Sequence, residues 1–391
     1  MPGGARTTVM DQQIFRFLGC AARPECEPRH LRLLAEEADR LSLSLREWNE
    51  VPALAEAHGI APLLYSHLKD AGVEPPLNIR RELAGLYLRH RESNRVNFTV
   101  LSKILTALES ADIPVLVLKG AALAHLIYPE PGLRPISDLD LLVPRAAAPR
   151  VQKILGALGF LVPSTFVPGR IFSPKHMAPA IVQMDGFSVV AEVHFSLFPP
   201  SISPPFDFNT LESPPLAFRL EPNGIIASTL GFEETLWYLC LHLSAIHPLY
   251  GQSRLIWMAD IVGFAERFAD EIDWERIRKR YPLVPKMLSL LHFTIPLSAS
   301  VREKAGIPRG LEPRGLGQDF KGQIRPPQSS GQETRSIFRR LRDTFVPSEW
   351  WLRLHYGLGA EKSIAWTRWI RHPLHLARLA FRLFVKYLQR I

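Results

Sequence analysis

Asp138 and Asp140 stand two residues apart in the segment Asp138–Val143, where every other residue is apolar. That composition reads as a buried strand. Positions i and i+2 of a strand project to one face, with Cα atoms roughly 6.5–7 Å apart. Carboxylates at that spacing can share or bridge two divalent ions about 3.5–4 Å apart. Leu139 points the other way, and Leu141, Leu142 and Val143 keep the strand in a core. Two acids in such a strand are costly unless paired, hydrated or metal-bound, so the pair reads as chemistry. A third carboxylate, Glu192, lies in the alternating stretch Phe187–Leu197. Val189, Ala191, Val193, Phe195 and Leu197 share one face there, and Val190, Glu192, His194 and Ser196 share the other. Glu192 is placed to complete a donor set for Mg²⁺ or to take the proton of an attacking hydroxyl. His194 reads as its structural neighbour rather than as a base.

Upstream, Ile113–Leu118 is a short apolar run rich in β-branched residues, followed by Lys119-Gly120-Ala121 and an Ala/Leu-rich helical stretch to about Tyr128. Glycine at a strand-to-helix turn lets backbone N–H groups come close to a phosphate, and the helix N-terminus adds partial positive charge. Lys119 and Arg134 are candidate clamps on phosphate oxygens. Lys119 serves equally well as the neutraliser of the acidic cluster. The expected nucleotide-binding set is therefore Lys119, Gly120, Ala121 and Arg134, and the expected catalytic and metal-binding set is Asp138, Asp140 and Glu192. An NTP triphosphate would lie between the two.

The elements that must position these residues alternate in type. Residues 1–110 read as helical, with Leu101, Ile104, Leu105 and Leu108 on one buried face and Pro75-Pro76 separating two helices. Strand, helix, strand and helix then follow, the last over Ala146–Leu158 with Gly159 at its C-cap. Prolines dominate 199–222, which reads as an irregular connection. Residues 231–269 are helical again and carry His242, His247 and Asp260; these serve as a metal site, a buried hydrogen-bond network or the lining of an acceptor pocket, with the network the usual case. The expectation is an α+β protein: an N-terminal helical region (1–110), a core with a small mixed sheet and flanking helices (111–222), a helical domain (223–304), a flexible linker (305–335) and a basic, aromatic helical region (336–391).

The segments Val117-Leu-Lys-Gly-Ala-Ala-Leu123, Tyr128 and Arg134-Pro-Ile-Ser-Asp-Leu-Asp-Leu-Leu-Val143 resemble the uncharacterised nucleotidyltransferase family of the DNA polymerase β-like superfamily. The superfamily pattern is a hydrophobic residue, Gly, then Gly or Ser, and later Asp-hydrophobic-Asp/Glu. Gly120 matches the glycine, Asp138 and Asp140 the metal-binding pair, and Glu192 in Ala-Glu-Val-His-Phe looks like the third acid. The resemblance extends over most of the chain, through Trp48, Ala61–Tyr65, Leu241–Asp260 and Phe345–Gly357. It implies nucleotidyl transfer with an NTP donor and Mg²⁺, in two ions. The sequence departs from the pattern at Ala121, which lacks a hydroxyl for phosphate, and in a longer gap between Gly120 and Asp138, which the intervening helix explains.

Composition narrows the partners. The net charge is +9, but residues 336–391 hold eleven Lys/Arg against three Asp/Glu, so the rest of the chain is near neutral. A nucleic-acid groove needs clustered cations, so a polymerase-like enzyme on nucleic acid is the lesser reading, and a small molecule, peptide, protein or glycan remains as acceptor. Two further alternatives are a nucleotide-binding regulator that holds ATP–Mg²⁺ without turnover, and a peripheral membrane protein acting through residues 336–391, whose arginines and aromatics suit an anionic surface. Three cysteines (Cys20, Cys26 and Cys240) make no disulfide framework or zinc site and suit a reducing, cytoplasmic setting. No run approaches the ~18 apolar residues of a membrane span, and the N-terminus carries no signal-peptide pattern.

Overall fold

The computed structural model describes residues 13–41, 48–163, 175–199, 206–221, 223–246, 254–314, 316 and 344–388. It is an α+β protein. After helix α1 (13–21) come α2 (Pro28–Leu41), α3 (Val51–Ala57), α4 (Ala61–Asp70) and α5 (Leu77–Ser110). Pro75-Pro76 lies between α4 and α5, as expected. Leu101, Ile104, Leu105 and Leu108 of α5 are buried in one cluster with Leu139, Leu141, Val189, Ala191 and Val193 of the sheet. The 3.6-residue stripe is thus the face on which the sheet rests, and each such side chain contributes about 1.5–3 kcal/mol.

The sheet is small and mixed, in the order β1 (Leu116–Val117), β2 (Leu139–Leu142), β4 (Phe187–His194), β3 (Ala180–Met184). β1 runs antiparallel to β2, β2 parallel to β4, and β4 antiparallel to β3. Between β1 and β2 lies α6 (Lys119–Leu126), and α7 (Ala148–Ala157) follows β2. The first strand is shorter than Ile113–Leu118, where Pro114 has no N–H to give a ladder. β4 ends at His194, short of Leu197, because the amides of Phe195 and Ser196 donate to the carbonyl of Lys175 at 2.9 and 3.1 Å. The β3–β4 turn is Asp185-Gly186, both at positive φ (51° and 79°), the backbone that a two-residue hairpin turn needs.

The connection expected to be irregular over 199–222 ends instead in β5 (Leu216–Leu220), which pairs with β6 (Ile225–Thr229) in a separate two-stranded sheet. That hairpin crosses the expected boundary at residue 222, since its buried Phe218, Leu220 and Ala227 belong to the same core as the main sheet. A second, wholly helical core joins α1, α3 and α4 to α8 (Phe232–Leu241), α9 (Leu255–Arg267) and α11 (Leu283–Leu291), after α10 (Trp274–Arg280). Short α12 (Ala299–Lys304) follows, then α13 (Glu349–Tyr356) and α14 (His372–Leu388). Most of the expected linker over 305–335 lies outside the described residues, as does His247. Among the described residues no helix is long and apolar enough to cross a membrane.

Candidate active site

The parallel register of β2 and β4 sets Asp140 opposite Glu192 and Leu142 opposite His194. Paired residues of adjacent strands share a face, and Glu192 and His194, two apart, share it as well. Asp140, Glu192 and His194 therefore converge, with one ligand atom from each inside a 4.8 Å spread. His194 Nε2 is 2.6 Å from Asp140 Oδ1 and 3.4 Å from Glu192 Oε2. Lys119 reaches the same carboxylate from the first residue of α6, its Nζ 3.1 Å from Oδ1 and 3.0 Å from Oδ2. Lys119 holds φ 49°, a left-handed backbone unusual for a residue with a side chain.

Asp138 enters the site just before β2 and is half-buried; Ser137 donates to its Oδ1 at 3.1 Å. The structure thus brings together the three expected carboxylates and Lys119, and adds His194. Their charges divide the work. The negative charge of Asp140, then burial, pushes the Asp138 carboxyl up. At Asp140 burial acts the other way but is outweighed by the Lys119 ammonium and the His194 bond, which hold that carboxyl well below the usual range. At Glu192 burial is likewise outweighed, chiefly by the His194 hydrogen bond, and the group is held low. For Lys119, burial is opposed and overcome by Asp140, so its ammonium is kept charged.

Arg134 makes its hydrogen bonds outside this cluster, although the charge of Asp138 still acts on it. It is buried, donates from Nη2 to Asp260 Oδ2 at 2.6 Å and from Nη1 to the Pro135 carbonyl at 2.7 Å, and Tyr128 donates to Asp260 Oδ1 at 2.7 Å. Its Nη1 sits 2.2 Å from where a Cβ on Gly120 would be, so the glycine makes room for the guanidinium. Gly120 and Ala121 are themselves buried in the first turn of α6. Asp260 accordingly belongs to a hydrogen-bond network between α9 and the loop before β2, and His242 meets Trp257 edge-on at 6.2 Å.

Lys175 and His176 escape sequence reading because they lie in a proline- and glycine-interrupted stretch with no periodicity. The chain at 175–177 runs beside the end of β4, with the Met177 amide donating to the Val193 carbonyl at 2.8 Å. His176 Nε2 comes to 3.9 Å from Glu192 Oε2. Burial, then the charge of Lys119, brings the Lys175 ammonium down to about 8, against the pull of Asp140, Glu192 and Asp138. Tyr238 of α8 lies fully buried near Lys119 and Asp140. The nearest sequence signal for these partners is the polar face of β4, which shows that something polar must cover it.

The donor set fits a divalent cation. Asp138, Asp140 and Glu192 offer the carboxylate oxygens that hard ions take. Asp138 is a carboxylate whose only hydrogen-bond donor among the described residues is Ser137, and its mutual repulsion with Asp140 is relieved by positive charge. His194 also presents a buried Nδ1 with no hydrogen-bond partner among the described residues.

Two solved structures are similar to about half of this chain. One is the antibiotic-resistance factor ANT(2'')-Ia in solution, at 17% identity over 48% of this chain and 94% of that one, with a TM-score of 0.30. The other is an antigenic nucleotidyltransferase-like protein from Paracoccidioides brasiliensis, at 19% identity over 54% and 97%, with a TM-score of 0.32. No curated protein matches. A family model, described as uncharacterised nucleotidyltransferase, covers residues 44–284 and so takes in the acidic cluster, the Lys119 turn and the Arg134–Asp260 pair. On that match over more than half its length, the chain belongs to the uncharacterised nucleotidyltransferase family.

Proposed function

We propose that the protein transfers a nucleoside monophosphate from an NTP to an acceptor nucleophile, in a reaction dependent on Mg²⁺. The acceptor oxygen or nitrogen would form a bond to the α-phosphorus. The bond from that phosphorus to the oxygen bridging to the β-phosphate would break, and pyrophosphate would leave. Mg²⁺, when bound, supplies positive charge to the phosphate oxygens as negative charge develops there. Asp138, Asp140 and Glu192 are the residues that would hold it. The observation that carries this reading is the convergence of Asp140, Glu192 and His194 within 4.8 Å across two parallel strands, with Asp138 beside them.

The remaining roles follow from position. His194 and Lys119 keep the Asp140 carboxylate ionised and aimed, as a hydrogen bond to a ligating carboxylate does elsewhere. Glu192, partly exposed, is the group placed to complete the donor set or to take the acceptor's proton. Lys119 and Lys175 supply cations beside the acids, where a triphosphate would pass, and the Gly120-Ala121 turn offers its helix N-terminus to the β- and γ-phosphates. Arg134 serves as a positioning residue that fixes this turn from behind.

Calorimetric titration of each NTP with Mg²⁺ into the wild type and an Asp138→Asn/Asp140→Asn variant tests the reading. Metal-dependent binding that vanishes in a variant with unchanged circular dichroism is the expected result, and it identifies the donor. Pyrophosphate release with labelled NTP then separates turnover from binding alone. A folded wild type that binds no NTP sinks the proposal.

A further inference from the structure

The C-terminal helix carries a surface that the nucleotidyltransferase site does not use. After Glu361 the sequence has seven Lys/Arg and no acidic residue. Residues 365–388 run as one continuous helix, about 36 Å long at 1.5 Å per residue. It is widened at Thr367–Arg371, just before Pro373, whose missing N–H and ring displace the regular bonding. Its first part is docked. Tyr356 of α13 lies 2.9 Å from His372 Nδ1, and His372 Nε2 lies 2.8 Å from the Thr344 carbonyl. Beyond that, Ala377–Phe381 are exposed on every side of the helix.

The exposed side chains are of two kinds. Trp366, Trp369 and Phe381 are 64%, 65% and 67% exposed, and Ile370, Leu374 and Leu379 are exposed with them. Arg371 and Arg378, with the half-buried His375 between them, follow at helical spacing, and the sequence continues the same spacing at Arg382 and Lys386. A depression of about 380 Å³ opens where the two kinds meet, bounded by Tyr356, Trp366, Arg371, Leu374, His375 and Arg378. We infer that this helix lies on the surface of an anionic phospholipid bilayer, with its indoles and aliphatic side chains entering the headgroup–acyl boundary and its basic stripe meeting lipid phosphates.

Charge and shape both select this occupant. An unbroken positive stretch repels a second copy of itself and attracts an anionic surface. Nucleic acid would also answer the charge, and bases would stack on Trp366 and Trp369. Ile370, Leu374 and Leu379, however, offer bases no stacking face and gain only by leaving water for hydrocarbon. The helix lacks the apolar length to cross the bilayer, so it lies in the interface.

Flotation of the full-length chain with vesicles provides the test. The wild type is expected to rise with vesicles containing phosphatidylglycerol and to stay down with phosphatidylcholine alone. Trp366→Ala/Trp369→Ala/Phe381→Ala is expected to lower the floating fraction about tenfold, and Arg378→Glu to weaken binding at low salt. All these residues are exposed, and circular dichroism of each variant checks the fold. Absence of flotation with the anionic vesicles overturns the inference. So does flotation indifferent to the apolar variant, or retention of the helix by single-stranded RNA in the absence of any lipid binding.

Discussion

Asp140 is the residue on which the site closes. It is 1% exposed, and a charge so placed is tolerable only because Lys119 and His194 both meet it. Lys119→Met removes one of those partners without changing the length of the side chain much. The expected cost is about 3–5 kcal/mol in the free energy of urea unfolding, the penalty for leaving a buried charge short of its partner. Asp138→Asn, at a half-buried position where the carboxyl is pushed up by its neighbour, relieves repulsion instead. It is therefore expected to leave stability unchanged or slightly raised while losing the metal-dependent binding. A pair of denaturation curves distinguishes the two acids.

At the scale of elements, the Arg134–Asp260–Tyr128 network ties α9 to the loop before β2 and, through Gly120, to α6. Asn94 of α5 braces the same loop from the other side, donating to the Pro131 and Arg134 carbonyls at 2.8 Å each. Asp260→Ala leaves a buried guanidinium without its carboxylate and is expected to cost about 3–5 kcal/mol. Asp260→Ala/Arg134→Met is expected to recover part of that loss, because the orphaned charge is gone. Urea midpoints of the single and double variants check this; equal losses in both would mean that Arg134 finds another partner. Here the sequence was legible in part. Arg134 and Asp260 could each be singled out, but their pairing across 126 residues leaves no local pattern. The β3–β4 hairpin had a readable signal in Asp185-Gly186, whereas β5 was hidden among prolines that cluster just before it.

For the whole molecule, acid is the weak side. His67 is 4% exposed and burial, resisted by its contact with the Ala21 carbonyl, brings its ring down to about 4. An unfolded histidine takes a proton near 6.5, so between 6.5 and about 4 the unfolded chain binds protons that the folded ring refuses. Stability from this group is complete above 6.5 and falls as pH drops, by about 3 kcal/mol at its fullest extent. His355, brought to about 4 mainly by burial, acts in the same window. Asp140 and Glu192, held low in the folded state, add their loss at still lower pH, while Asp138, pushed up, opposes it. Urea midpoints are expected to fall slightly from pH 8 to 7, as Lys175 regains its proton in the folded state, and to decline steadily toward pH 4.5. A flat profile across that range would show that His67 protonates within the folded protein.

Local periodicity carries what the sequence determined by itself. The i, i+2 spacing of Asp138 and Asp140, the alternation through Glu192 and the stripe on α5 follow from the backbone repeat of single elements, and each faces the way its spacing requires. The Lys119-Gly120 turn is of the same kind, since strand and helix signals flank it directly. Which groups those faces meet was decided only by tertiary structure. His194 joins Asp140 because β2 and β4 pair in parallel in one register, and a shift by a single residue would turn it to the opposite face. Lys175 comes under the charge of the acids because Phe195 and Ser196 bond to its carbonyl instead of extending β4. Arg134 bonds to Asp260, and not to the acidic cluster, because the helical core brings α9 against the back of the turn. Spacing along a chain sets where a side chain points; hydrogen-bond register and packing between distant segments set what stands there to receive it.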